Sequence, residues 1–181
     1  METNVYIIAF LILELVIALS ILFYMISITW SLWKGAPFVP SRGHDVTEML
    51  KNLGLKNGDK FLELGCGDGR VVCEAVKKYD VVGRGVDVSI LWLIFARLRA
   101  RILGIQSSVD FRLEDIRQTD LAWADVIYLY MMPTFIEKYS AELFSKCRPG
   151  TTIVSYVFDI PYMKEKGSSS RQENRYHIYK V

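Results

Sequence analysis

The stretch "FLELGCGDGR", residues 61–70, places three glycines at alternate positions directly after a short apolar run. The apolar run is typical of a buried strand, and the residues from 69 onward have the spacing of a helix. A glycine-rich turn between a strand and a helix leaves bare backbone amides at the helix N-terminus. We therefore expect a ligand to bind against this loop.

Strand-like and helical segments alternate through the rest of the chain. Strands are predicted at 60–64, 81–88, 109–116, 125–132, 151–158 and 175–181, and helices at 46–53, 69–78, 90–103 and 134–146. This alternation predicts an α/β fold with a Rossmann-like, doubly wound, mostly parallel sheet. The polar stretch 164–174 is predicted as a loop. Because the tail after Pro161 is short, we expect a further, sixth strand ahead of the one at 175–181 to be reduced or missing.

The glycine spacing favours S-adenosylmethionine over a dinucleotide as the ligand. Gly65, Gly67 and Gly69 form G-x-G-x-G, whereas the dinucleotide fingerprint G-x-G-x-x-G needs a glycine where Arg70 stands. Glu63 can orient an ammonium group, through water, while the bare amides receive a carboxylate. S-adenosylmethionine carries both groups at its amino-acid end. A tight turn that binds nothing is the alternative for the three glycines.

Acids after the next two predicted strands suit the rest of that cofactor. Asp87 lies 18 residues after Gly69, close to where an acceptor for a ribose is expected. Asp115 follows the third strand and can accept from the adenine amino group, with Ile116 covering the ring. Asp87 could instead cap the helix that begins near Ser89, and Asp115 could be a surface acid. Three acids in this order favour cofactor binding.

The first 33 residues predict a membrane anchor. Residues 5–33 contain no lysine or arginine and one acid, Glu14. As a helix they would extend roughly 43 Å at about 1.5 Å per residue, more than the roughly 30 Å of a hydrocarbon layer. The start "METN" lacks a basic region and no small-residue cleavage site follows, which disfavours a signal peptide. Glu14 has two interpretations, a polar contact with another membrane helix or a single tolerated acid.

The distribution of charge predicts which side of the membrane the rest of the chain occupies. All 22 basic residues follow position 33, together with 18 of the 20 acidic residues, which leaves a net charge of +4. Basic residues favour the cytoplasmic side, so we expect a single-pass protein with a cytoplasmic C-terminal domain. This charge is too small to indicate nucleic acid binding. Cys66, Cys73 and Cys147 lack metal-ligand spacing, so we expect no metal site.

The segment after the fourth predicted strand bears on the methyl acceptor. It reads "YLYMMPTF", residues 128–135, without the [D/N]-P-P-[Y/F] pattern that suits planar nitrogens of adenine, cytosine or glutamine. A lysine amine must lose its proton first, and an apolar pocket favours this because desolvation disfavours the charged form. Tyr130 and Asp159, at the ends of the fourth and fifth strands, are our catalytic candidates for orienting the neutral amine. Asp159 also suits a turn before Pro161.

Four segments together resemble a known family. The N-terminal apolar helix, "APFVPS" (36–41), "LELGCGDGRV" (62–71) and "SILWLIFARLRARILG" (89–104) are similar to the membrane-anchored seven-strand, or class I, protein-lysine N-methyltransferases. Members of that family modify the mitochondrial adenine nucleotide translocase and the ATP synthase c subunit, and archaeal protein-lysine methyltransferases are related. The resemblance implies a class I fold, S-adenosylmethionine as cofactor, and a lysine in a membrane-associated protein as substrate.

The resemblance also implies a role for the segment that follows the anchor. In the family this segment precedes the core and helps to close the cofactor and lysine site. Carried over, that assigns substrate binding to Pro37, Phe38, Val39 and Pro40, with Phe38 packing on the substrate. A rigid spacer between membrane and domain is the alternative.

These expectations define three parts of the chain. They are an anchor helix at 1–33, a linker at 34–44 and a methyltransferase domain at 45–181. The predicted helix 90–103 is apolar on nearly every side, so it is expected either to be buried against the sheet or to rest on the membrane. The expected function is methyl transfer to the ε-amine of a lysine in a protein. A small-molecule or lipid amine methyltransferase and a non-catalytic, cofactor-binding membrane scaffold are the alternatives.

Overall fold

The computed structural model describes residues 2–33 and 41–181, and its first element is a long helix, α1 (Glu2–Trp33). The segment Val5–Ile26 of this helix is long and apolar enough to cross a membrane, with a mean hydropathy of 2.8. None of that segment is buried inside the protein. By length and composition α1 is therefore a candidate membrane span.

The other described residues form a seven-stranded sheet with helices on both faces. The helices are α2 (Gly43–Asn52), α3 (Arg70–Tyr79), α4 (Ile90–Ile102), α5 (Pro133–Phe144) and α6 (Pro161–Glu165). The strands are β1 (Lys60–Leu64), β2 (Val82–Asp87), β3 (Val109–Leu113), β4 (Val126–Leu129), β5 (Thr152–Tyr156), β6 (Ser169–Glu173) and β7 (Tyr176–Lys180). Their order is β3-β2-β1-β4-β5-β7-β6, with β1 to β5 parallel and β7 antiparallel to both neighbours. The mostly parallel sheet predicted from the sequence is confirmed.

The C-terminal part differs from the sequence prediction. The stretch 164–174 is predicted as a polar loop, yet its residues Ser169–Glu173 form β6, so the sixth strand is present and the prediction of a reduced or missing strand is wrong. β6 is an edge strand whose side chains are mostly exposed, and it pairs with β7 on one side. An exposed edge strand needs no apolar alternation and favours charged residues. Hydrophobic periodicity therefore carries no signal for it.

The sheet separates two apolar cores. Residues of α2, α3 and α4 pack on one face, and residues of α5 and α6 pack on the other. Because side chains alternate along a strand, Tyr128 and Tyr156 belong to the first core while Leu129 and Ile153 belong to the second. The five parallel strands end at one common edge, and the loops that leave this edge form the site described next.

Candidate functional site

The loop between β1 and α3 holds its three glycines in the left-handed region, at φ 69°, 50° and 68° for Gly65, Gly67 and Gly69. Glycine adopts this region freely, whereas other residues meet a steric penalty there. A Cβ on Gly65 would lie 2.6 Å from Met131 Cε, and one on Gly69 would lie 2.8 Å from the Phe111 ring. The glycines therefore let the loop pack tightly against β3 and against the segment that follows β4.

Asp87 ends β2 and connects it to the middle of this loop. Its Oδ2 accepts a hydrogen bond from Gly67 N and its Oδ1 accepts one from Ser89 N, both at 2.8 Å. Burial raises the pKa of Asp87, although the backbone donors oppose that shift. Asp87 thus lies beside the glycine loop, where the ribose acceptor is predicted, and also holds the residue before α4. The contact of Asp87 with a ribose stays a prediction.

Glu63 is buried near the end of β1 and points at the first turn of α3. Its Oε2 accepts a hydrogen bond from Val72 N at 2.8 Å. Burial raises the pKa of Glu63 well above its ordinary value, the Val72 bond opposes this, and the charges of Asp68 and Asp87 add to it. An ammonium group close by would favour the charged carboxylate. A cofactor ammonium group beside Glu63 would lower this raised pKa. The contact between Glu63 and the ammonium group stays a prediction.

The adenine side of the predicted site lies after β3. Asp115 precedes a short 3-10 turn, Ile116–Gln118, and its Oδ1 accepts from Arg117 N at 3.0 Å and from Arg117 Nε at 2.9 Å. Ile116 is buried in the second core. The Arg117 contacts fix the orientation of the Asp115 carboxylate. The predicted adenine contacts of Asp115 and Ile116 stay predictions.

An ion pair between Arg99 and Asp68 connects the glycine loop to α4. Arg99 donates from Nη2 to Asp68 Oδ2 at 2.6 Å and from Nε to Asp68 O at 3.0 Å. Arg70 makes a longer contact of 3.4 Å with the same carboxylate. An arginine that interrupts an apolar helix is a signal that some acid pairs with it. The sequence does not show which acid, because Asp68 lies 31 positions away.

Aromatic side chains cluster beyond the ends of β4 and β5. The Tyr130 ring meets Tyr156 edge-on with ring centroids 4.9 Å apart and stacks on Phe158 at 6.3 Å. The next residue, Met131, is the one that packs against Gly65. The catalytic candidate Tyr130 therefore belongs to an aromatic wall, formed with Tyr156 and Phe158, that adjoins the glycine loop.

The end of the linker is fastened at the same edge of the sheet. Ser41 Oγ and Tyr128 OH form a buried hydrogen bond of 2.7 Å, and Arg70 donates to Ser41 O at 3.3 Å. On α2, Asp45 accepts from Tyr156 OH at 2.5 Å. The hydroxyl contacts join residues 87 and 111 positions apart, so no local pattern indicates them. The substrate-binding candidates directly before Ser41, at 37–40, lie outside the described residues.

Asp159 has partners of its own. The Tyr179 hydroxyl donates to Asp159 Oδ1, and Lys164 Nζ lies 2.7 Å from Asp159 Oδ2. Burial opposes ionisation, but the bonds from Lys164 and Tyr179 outweigh it and lower the pKa of Asp159. Tyr179 belongs to the second core, whereas Tyr130 packs against the first. No hydrogen bond joins the two catalytic candidates within the described residues, and the role of Asp159 towards an amine stays a prediction.

The described residues fit S-adenosylmethionine. The glycine loop, Asp87 and the pair Asp115 and Ile116 all follow carboxyl ends of parallel strands, the edge at which doubly wound sheets bind ligands. A side chain on Gly69 would meet the Phe111 ring and Ala96, and one on Gly65 would require the end of the Met131 side chain to move, so this packing favours a bare loop backbone. Buried Glu63 and half-buried Asp87 place two carboxyl groups beside that backbone. This donor set matches a ligand with an ammonium group and a ribose.

Comparisons with known proteins agree with this site. The family model described as "ANTKMT methyltransferase domain" matches residues 63–167, more than half of the chain. A protein-lysine N-methyltransferase of Saccharolobus islandicus is 26% identical over 68% of this chain and 78% of its own length. The human lysine N-methyltransferase named for the ATP synthase c subunit is 24% identical over 70% of this chain. The chain spans only 53% of that human relative.

Solved structures share the fold and the cofactor. An RNA methyltransferase of Salinibacter ruber, solved with S-adenosyl-L-homocysteine, superposes with a TM-score of 0.69 and 29% identity over 78% of this chain and 91% of that one. A methyltransferase of Geobacter sulfurreducens, also with S-adenosyl-L-homocysteine, gives a TM-score of 0.57 at 25% identity over 72% of this chain and 50% of that one. With the family match, the seven-strand sheet and the glycine loop established, the chain belongs to the ANTKMT methyltransferase domain family and is an S-adenosylmethionine-dependent methyltransferase.

Proposed function

We propose that this protein transfers a methyl group from S-adenosylmethionine to the ε-amine of a lysine in a membrane-associated protein. In this proposal residues 5–33 anchor the chain in a membrane as a single span, and the domain at 45–181 works on the cytoplasmic side. The archaeal and human relatives named above are lysine methyltransferases, and a mouse adenine nucleotide translocase lysine N-methyltransferase is 27% identical over 69% of this chain. These relatives support a protein lysine as the acceptor.

The observation that carries the proposal is the aromatic wall beside the glycine loop. When bound, the cofactor supplies an electrophilic methyl group on a sulfonium. The wall of Tyr130, Tyr156 and Phe158 excludes water from the acceptor side and favours a neutral amine, because desolvation disfavours ammonium. The Tyr130 hydroxyl can accept a hydrogen bond from that amine, and positioning then provides much of the rate.

The linker supports the proposal from the opposite side. Ser41 is bonded to Tyr128 and to Arg70 at the start of α3, so the chain enters the domain at the carboxyl edge. The four residues before Ser41 are therefore close enough in sequence to cover a substrate held at that edge. In this proposal Phe38 packs on the lysine side chain.

A small amine as acceptor is the second candidate. Phosphoethanolamine N-methyltransferase 1 of Arabidopsis thaliana is 37% identical to this chain over 82 residues, 45% of this chain. That match spans only 16% of the plant protein. The longer matches to lysine methyltransferases favour the first candidate.

The test is methyl transfer from tritiated S-adenosylmethionine by full-length protein added to native membranes. We expect a labelled protein band whose acid hydrolysate contains methyl-lysine. With cofactor below saturation, Asp87→Asn should strongly reduce the label, and Asp110→Asn, at an exposed acid of β3, should not. Label in the lipid fraction or in a small amine would move the assignment to the second candidate, and label in RNA would contradict both. Cofactor binding without any transfer would support a non-catalytic scaffold.

A further inference from the structure

One face of α4 is a continuous apolar surface. Leu93, Ala96 and Ala100 are buried against the sheet. On the other side a row of large apolar side chains has about half or more of its surface exposed: Ile90 49%, Ile94 51%, Phe95 47%, Leu98 50% and Ile102 76%. A row of this length is unusual on a protein surface that faces water and indicates an interaction site. The helix therefore presents an apolar stripe, defined by these five residues, along its whole length.

The apolar stripe is continuous with the candidate membrane span. A groove of about 810 Å³ runs between α1 and α4 and has a mostly apolar lining. Its α1 side is formed by Ser20, Phe23 and Tyr24, which lie near the C-terminal end of the segment Val5–Ile26. Its α4 side includes Phe95, Leu98 and Ile102 of the stripe. If α1 crosses a membrane, the apolar stripe lies beside the end of the span and therefore at the surface of that membrane.

Of the three arginines on α4, Arg101 is the one placed to contact a lipid phosphate. Arg97 donates to Phe111 O at 2.8 Å, and Arg99 is bound to Asp68. Arg101 is exposed and makes no hydrogen bond or ion pair within residues 2–33 and 41–181. It stands next to Ile102 and one turn from Leu98, so its long side chain can reach phosphate while its neighbours contact acyl chains.

We propose that α4 is a second membrane-contacting element that lies in the interface of the bilayer spanned by α1. In this arrangement the apolar stripe contacts acyl chains, an acyl chain occupies the groove between α1 and α4, and Arg101 binds a lipid phosphate. Amphipathic helices bind bilayers in this way, through buried apolar area and attraction to anionic lipid. The inference rests on the membrane anchor of the proposed function, but not on the identity of the methyl acceptor.

The contact has a consequence for the active site. Asp68 and Arg99 both line the groove, and Asp68 lies between two glycines of the cofactor loop. The ion pair between Asp68 and Arg99 therefore connects the cofactor loop directly to the membrane-contacting helix. A domain held by both α1 and α4 has a fixed orientation, which restricts it to acceptor groups close to the membrane surface.

The test uses nitroxide spin labels on full-length protein reconstituted in phosphatidylcholine nanodiscs, with and without phosphatidylglycerol. Labels are placed by Ile94→Cys and Leu98→Cys on the stripe, and by Lys138→Cys at an exposed position of α5 as the matched control. A label at Leu11→Cys reports separately whether α1 is in lipid. Native thiols interfere little, because Cys66 and Cys73 are buried and burial raises the pKa of Cys147 to about 12.

The measurement is the collision rate of each label with oxygen, which enriches in lipid, against a water-soluble nickel chelate. We expect the labels at 94 and 98, like the label at 11, to collide with oxygen several-fold more often than with the chelate. The label at 138 should collide more often with the chelate. We also expect phosphatidylglycerol to deepen the labels at 94 and 98, and Arg101→Gln to remove that effect. An equal depth in both lipids would contradict the attraction of Arg101 to anionic lipid.

Three results would overturn the inference. Labels at 94 and 98 that favour the chelate while the label at 11 favours oxygen would show that the anchor is real and α4 is in water. Labels at 94 and 98 shielded from both agents would show that protein covers the stripe, and line broadening that disappears on dilution with unlabelled chain would identify a second copy. A label at 11 in water would remove the anchor itself, and with it this part of the proposed function.

Discussion

At the scale of single residues, Asp87 is the side chain that connects the glycine loop to the start of α4. Both carboxylate oxygens accept backbone hydrogen bonds, one from the glycine loop and one from the residue before α4. An amide in its place keeps the shape but offers one acceptor oxygen and turns an NH2 group towards a backbone N–H. The loop would therefore lose a contact that holds it in position for the cofactor.

We predict that Asp87→Asn weakens binding of S-adenosyl-L-homocysteine by about 10-fold to 100-fold, in line with about 1.5–3 kcal/mol for a hydrogen bond to a charged group. Isothermal titration calorimetry of the detergent-solubilised chain measures this. Asp110→Asn, an exposed acid in an ion pair with Arg112, is the matched control and should leave the affinity unchanged. Equal affinities for the native chain and Asp87→Asn would remove Asp87 from the site.

Glu63 gives a prediction about pH, since burial raises its pKa well above the ordinary value of 4.5. Above pH 4.5 the unfolded chain releases this proton while the folded chain retains it, so stability falls as pH rises until the raised pKa is passed. Glu63→Gln keeps the acceptor for Val72 N and has no proton to lose. Without cofactor, the variant should therefore gain stability relative to the native chain as pH rises, by up to about 1.4 kcal/mol per pH unit.

Urea unfolding of the cofactor-free native chain and Glu63→Gln, followed by tryptophan fluorescence from pH 5 upward, tests the sign. Two parallel stability curves would mean that Glu63 is ionised in the folded protein. Saturating S-adenosyl-L-homocysteine should reduce the difference, because its ammonium group favours the charged form of Glu63.

We expect substitutions of Tyr130 and of Asp159 to change kcat to different extents. Tyr130 belongs to the aromatic wall, whereas Asp159 is bound to Tyr179 and Lys164. We predict that Tyr130→Ala lowers kcat for methyl transfer at least ten-fold with little change in cofactor affinity. Tyr162→Ala, on α6, is the matched control and should retain kcat. Loss of kcat in Asp159→Asn as well, at unchanged thermal stability, would establish Asp159 as a second orienting residue.

At the scale of elements, Gly69 is the point where α3, α4 and β3 meet. A Cβ there would lie 2.8 Å from the Phe111 ring and 2.9 Å from Ala96 Cβ, at φ 68°. Gly104, just after α4, has nearly the same conformation at φ 72° but open space around it. The two positions share the backbone strain of a left-handed alanine and differ in crowding.

We predict that Gly69→Ala lowers the free energy of unfolding by about 1–3 kcal/mol more than Gly104→Ala, the usual range for overpacking. Gly104→Ala should itself cost about 1–2 kcal/mol from the left-handed conformation alone. Chemical unfolding of both variants provides the comparison. If the two costs are equal, α4 moves away from the loop easily and the close packing at Gly69 is not required.

At the scale of the whole molecule, the proposal places α1 across a membrane and the domain in the cytoplasm. The physical reason is that every basic residue follows position 33, which opposes transfer of the domain across an energised membrane. We predict that the protein stays in the membrane pellet after washing with alkaline carbonate. Protease should degrade residues 41–181 in inverted vesicles and spare them in right-side-out vesicles.

Right-side-out vesicles opened with detergent are the control for protease activity. Degradation in the intact right-side-out vesicles would place the domain on the other side. Release by carbonate would mean that α1 lies on the surface, and the target would then not need to share the bilayer.

The sequence by itself determined the class of fold and of cofactor. Strand and helix periodicities, the glycine loop and the acids at strand ends are local patterns, so they can be recognised without the tertiary structure. They placed β1 to β5, α3, α4 and α5 to within a few residues of their bounds and led to S-adenosylmethionine. The substrate is harder to read in this way: residues 128–135 lack the pattern that suits planar nitrogens, but no local pattern identifies a lysine pocket.

Only the tertiary structure decided which residues meet. Asp68 with Arg99, Ser41 with Tyr128 and Asp45 with Tyr156 are joined across 31, 87 and 111 positions, and side-chain type alone does not select such partners. β6 forms because β7 offers it a hydrogen-bonding edge, despite a polar sequence without alternation. The sequence does not show whether α4 is buried on every side or on one side. In the structure Leu93, Ala96 and Ala100 face the sheet, and the apolar stripe on the other side is exposed.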